Sequence, residues 1–198
     1  MSQFRSAIED AEAFSQRYSE SPDGGDVLTR QDAKALQRAV SGEIPLLINV
    51  NRAADIMRLI DIKQNNPSLD MIIVGGAEAW EVADEIAAAD IRVILDPLKN
   101  LPDAFESVGS RLDNATFLEN AGVDFAISNL TSLGVTKPAT LAQHAGAAVV
   151  EGLTWNEAFA AISSIPASWF GVRERSFVYW DGDPLEVTSA PIAMTLNG

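Results

Sequence analysis

From Ile44 onward, short apolar runs alternate with stretches whose apolar residues recur at helical spacing. Leu46-Leu47-Ile48-Asn49-Val50 reads as a strand, followed by a helix over 53–65. Met71-Ile72-Ile73-Val74 is the second strand, and Gly75-Gly76 separates it from a helix predicted over 78–89. Ile91-Arg92-Val93-Ile94-Leu95 is the third strand. A loop with two prolines leads from it to a helix over 113–120. Asp124-Phe125-Ala126-Ile127-Ser128 is the fourth, and a Gly/Pro-containing loop connects it to a helix over 140–151. Strands this apolar, alternating with helices, predict a parallel sheet covered on both faces, with right-handed crossovers.

The flanks differ in texture. Phe4, Ile8, Ala11 and Phe14 fall near one face of a helix predicted over 4–18, and Pro22-Asp23-Gly24-Gly25 breaks it. A second helix is predicted over 30–40, with Gly42 beyond its end as a stop. After the fourth βα unit, Thr154 and Glu157 have capping-box spacing at the head of a helix that carries Trp155, Ala158, Phe159 and Ile162 and stops before Pro166. A short helical turn through Trp169 and Phe170 ends at Gly171. The tail becomes β-like, with strands over 176–180 and 192–196 around the turn Asp181-Gly182-Asp183-Pro184. The pattern divides the chain into a helical segment over 1–43, a βα domain over 44–172 and a small β-layer over 173–198.

Composition narrows the function. With 14 Lys+Arg against 28 Asp+Glu, the formal charge is −14 and the pI is near 4.3. That disfavours nucleic acid and anionic membrane surfaces as partners. No apolar run reaches the roughly 20 residues needed to cross a bilayer, and MSQFRSAIED carries no signal-peptide pattern, which points to the cytoplasm. Cysteine is absent and His144 is the single histidine, so the chain cannot build a thiolate or His-rich metal site from its own residues.

The tail Tyr179-Trp180-Asp181-Gly182-Asp183-Pro184-Leu185-Glu186, ending in Leu196-Asn197-Gly198, resembles the metal-dependent amidohydrolases, specifically their imidazolonepropionase-like branch. Ile165-Pro166-Ala167-Ser168-Trp169-Phe170-Gly171-Val172 resembles the segment that precedes this tail in the family. Asn51-Arg52-Ala53-Ala54-Asp55-Ile56 and Val74-Gly75-Gly76-Ala77-Glu78-Ala79-Trp80 resemble its fifth and sixth βα units. The likeness extends from about Phe4 to the C-terminus. It implies an α/β fold of four βα units equivalent to the C-terminal half of a (β/α)₈ barrel, plus a short C-terminal β-layer. A complete barrel takes about 250 residues, and the first four strands, with their His-x-His pair, have no counterpart here.

The resemblance also implies chemistry: hydrolysis of C–N bonds in amides or cyclic amides, with zinc or another divalent metal activating water. The positions that hold metal in relatives read Asn49, Asn51 and Gly75 here, and Asn129 is the nearest counterpart of the strand-eight aspartate. An amide oxygen is a weak neutral ligand and does not replace imidazole on zinc. No catalytic residue and no metal ligand carries over, and no cofactor is expected in the isolated chain. The expected activity is therefore nil for this chain alone. The alternatives are one component of a split or oligomeric enzyme whose partner supplies the metal site, or a truncated fragment with no separate function.

Asn49, Asn51, Arg52 and Asn129 remain as candidates for binding a small polar ligand at one end of the sheet, against the plainer use of Asn for local backbone groups. Glu78 and Asp96 follow strands, where α/β folds collect functional groups. Glu78 also suits a helix start and Asp96 before Pro97 suits a turn. His144, with Ala148 at i+4, reads as a surface or packing histidine. Trp155, Phe159, Trp169 and Phe170 read as packing aromatics. Four parallel strands expose edges and an inner face, which calls for a partner: a second copy in a homodimer, or a complementary barrel-half chain.

Overall fold

A computed structural model describes residues 2–14, 27–99, 105–129, 140–173 and 176–196. The end of the first predicted helix, the 22–25 turn, the loop residues 130–139 and the terminal Asn197-Gly198 lie outside these residues. Four strands, β1 (Leu46–Val50), β2 (Met71–Gly75), β3 (Arg92–Leu95) and β4 (Phe125–Ile127), form one parallel sheet in the order β1-β2-β3-β4. Adjacent strands in sequence are adjacent in space. Right-handed crossovers that all step in one direction would place their connecting helices on one face of such a sheet.

Burial follows that geometry. Ile48, Val50, Met71, Ile73, Val93, Leu95, Phe125 and Ile127 face the helices and join one apolar cluster. Ile56, Leu59 and Ile60 of α3 (Ala53–Asn65) meet them there. The alternate residues are paired across the opposite face as Leu47 with Ile72, and Asn49 with Val74 and then Ile94. Here the expectation of burial on both faces is corrected for β1. It is an edge strand, and Leu47 is 49% exposed while Asn49 is exposed beside it.

The helices α1 (Ser2–Glu12) and α2 (Arg30–Val40) pack together and add Ile8, Ala11 and Val40 to the cluster. Asp10, buried in α1, accepts the Val27 and Leu28 N–H groups at 2.9 and 3.1 Å, which pins the chain that leads into α2. Thr29 caps α2, and Gly42 follows it at φ +75, the conformation expected of a helix stop.

The single helix predicted over 78–89 is split. A 3₁₀ turn (Ala79–Val82) precedes α4 (Ala83–Ala88), because Glu78 and Trp80 are held by neighbouring loops. After α5 (Asn114–Asn120) and α6 (Leu141–Val150), α7 (Trp155–Ala161) opens with the predicted capping box: the Thr154 N–H donates to Glu157 Oε2 at 2.7 Å and the Glu157 N–H to Thr154 Oγ1 at 3.3 Å. The turn predicted near Trp169 is a helix, α8 (Ser164–Trp169). Pro166 is tolerated in its first turn, where its missing N–H costs nothing.

Trp169 Nε1 donates to Asp124 at 2.7 Å, and Arg92, paired with Asp70, lies over its ring. Thus α8 spans the end of the sheet where β2, β3 and β4 begin. The tail forms an antiparallel pair, β5 (Phe177–Trp180) and β6 (Pro191–Thr195). Phe177, Val178, Tyr179, Ile192 and Met194 are exposed, so the pair is apolar and uncovered on both faces. Its connecting turn is nevertheless anchored: Leu185 is buried in the main cluster, Trp155 Nε1 donates to Asp183 at 2.8 Å, and Gly146 lets the Leu185 carbonyl sit where a Cβ would be only 2.4 Å away.

Ile73 is fully buried between strand and helix layers, so Ile73→Ala is expected to lower unfolding free energy by about 2–5 kcal/mol in urea titrations.

Candidate functional site

Parallel sheets collect functional groups at the carboxyl ends of their strands, where loops enter helices. In this chain that rim is built in two parts. The first surrounds β1 and β2. Gly75 at φ +101 and Gly76 at φ +62 turn the chain sharply, and the Gly76 N–H donates to the Val50 carbonyl at 2.8 Å. Asn51 lies over this turn: a Cβ on Gly75 would stand 2.4 Å from Asn51 Oδ1. Close approach of strand and loop, not anion capture, accounts for both glycines.

Glu78 works as a clasp. Its Oε2 accepts the Ala53 N–H at 2.9 Å, its Oε1 accepts the Gly109 N–H at 3.3 Å, and its own N–H donates to the Asn51 carbonyl at 2.8 Å. The carboxylate therefore neutralises the positive N-terminus of α3, the preceding helix in the chain, and not that of its own segment. The Gly109 carbonyl accepts the Trp80 indole N–H at 2.8 Å, and a Cβ at Gly109 would clash with Glu78 at 2.7 Å. Asn114, buried at 1% exposure, donates to the Gly76 carbonyl at 2.9 Å.

Arg111 completes the support. It holds Asp113 in a two-point pair at 2.8 and 2.7 Å and lies over Trp80 and Phe117 at 4.8 and 4.9 Å from the ring centres. This contact keeps the Asp113 carboxyl below its ordinary range, chiefly through the Arg111 hydrogen bonds.

The second part of the rim surrounds β3 and β4. Asp96 follows β3; its Oδ1 accepts the Leu98 N–H at 3.1 Å and lies 2.8 Å from His144 Nδ1 in the first turns of α6. Both side chains are about nine-tenths buried (10% and 9% exposed). Asn129, buried beyond β4, donates to Thr140 Oγ1 at 3.2 Å.

The candidates are thus distributed along the rim. Asn49 and Asn51 stand on the β1 edge with Arg52, whose guanidinium lies 5.1 Å from the Phe105 ring centre. Asn129 stands on the β4 edge, about 14 Å away across three strand spacings. Glu78 is committed to backbone, and Asp96 to a partner that sequence reasoning missed. The Asp96–His144 pair spans 48 residues, and the only signal for it was that both positions fall at strand-to-helix ends. Among the described residues, no three His, Cys, Asp or Glu side chains converge as a metal-binding group. None of their helices is long and apolar enough to cross a membrane. A cleft of about 350 Å³ lies elsewhere, between α1 and the C-terminal end of α3, lined by residues including Arg5, Glu9 and Asn65.

No family model matches the chain. Over 121 residues it is 28% identical to amidohydrolase tasK of Hapsidospora irregularis, an alignment covering 46% of this chain and 12% of that protein. Its structure is similar to the crystal structure of an amidohydrolase from Thermotoga maritima MSB8, with a TM-score of 0.80 at 19% identity, over 98% of this chain and 53% of that one. The fold is amidohydrolase-like. The chain spans about half the length of the solved amidohydrolase and a smaller share of the curated one.

Glu78→Ala strands two N–H donors and is expected to cost about 1–3 kcal/mol in chemical denaturation. The depressed Asp113 carboxyl supplies stability that is present at neutral pH and is lost as pH falls through its lowered range. Asp113→Asn is therefore expected to lower the denaturation midpoint at pH 7, and the difference from the parent should shrink towards zero in acid.

Proposed function

We infer that the chain is an amidohydrolase-related domain of the imidazolonepropionase-like type, equivalent to the C-terminal half of the barrel, that does not carry out metal-dependent hydrolysis by itself. The observation that supports this most is the donor set of the rim. The positions expected to hold metal are Asn49, Asn51, Gly75 and Asn129, all uncharged. Asn129 donates to Thr140, and the Asn51 amide packs on Gly75. These groups do not fit a zinc site, which takes imidazole, thiolate and carboxylate. Their hydrogen-bonding capacity suits a small polar ligand instead, with Asn49, Asn51 and Arg52 at the exposed β1 edge.

A second feature supports association. The β5–β6 pair is apolar on both faces, and Leu47 and Asn49 leave the β1 edge open. We assign a second copy of this chain as the covering partner, because a two-fold contact would pair each exposed hairpin with its like. A complementary half-barrel chain is the competing occupant.

Zinc titration and an amidase assay, run on the chain alone and after addition of a complementary-half protein, test both statements. The chain alone is expected to retain no stoichiometric zinc and to show no zinc-dependent amide hydrolysis; tightly bound stoichiometric zinc overturns the reading. Light scattering is expected to show a dimer. A monomer across a wide concentration range that gains mass only with the complementary protein would transfer the interface to that chain.

A further inference from the structure

We draw no further inference here: the strongest candidate, the cleft between α1 and the C-terminal end of α3, sets only solvent-exposed charged groups (Arg5, Glu9 and Glu12) around the buried Ile8 and Ile62, and nothing in the structure shows what occupies it.

Discussion

Four adjacent parallel strands joined by crossovers of one hand are the constraint on which the remaining structure depends. Each step of the same handedness drops the next helix on the same side, so one face acquires the apolar cluster around Ile73, Val93 and Phe125. The other face carries Leu47, Asn49, Ile72, Val74 and Ile94, of which Leu47 is exposed and Ile72 fully buried. The rim inherits its order from the same rule, since each strand delivers its loop to one end of the sheet. Asn51, Gly75, Asp96 and Asn129 appear there in chain order because the strands do.

Much of this was legible in the residues. The apolar runs at Leu46, Met71, Val93 and Phe125 are too short for helices and too continuous for surface strands, which leaves a buried parallel sheet. The Thr154–Glu157 box and the Gly42 stop are local chemistry and appear as written. What was not legible depended on long-range bonds. The segment over 78–89 has the right composition for one helix, but Glu78 and Trp80 are bound to Ala53 and Gly109, and a tight 3₁₀ turn results. The exposed face of β1 was hidden for a related reason: edge position is a property of the sheet, while Leu-Leu-Ile reads equally well in its centre. His144 looked like a lone packing histidine because its partner is 48 positions away.

The rim at the carboxyl ends of β1 and β4 is lined in part by amide side chains. An amide and an imidazole both sit comfortably at a strand end, and both satisfy nearby backbone groups. Only the imidazole offers a strong nitrogen donor to a transition metal. The support around the rim is nonetheless elaborate: Glu78 bridges two loops, Arg111 lies against two aromatic rings, and Asn114 reaches the Gly76 carbonyl. Such bracing fixes the loops that would frame a ligand, independently of whether an ion is held among them.

The anchoring of the tail has a consequence for cooperativity. Leu185 is inserted in the same apolar cluster as the sheet, and its carbonyl rests on the bare surface of Gly146. The hairpin is consequently no detachable flag. Melting it would withdraw Leu185 from the apolar cluster and leave a void beside α6, which couples the stability of the hairpin turn to that of the sheet.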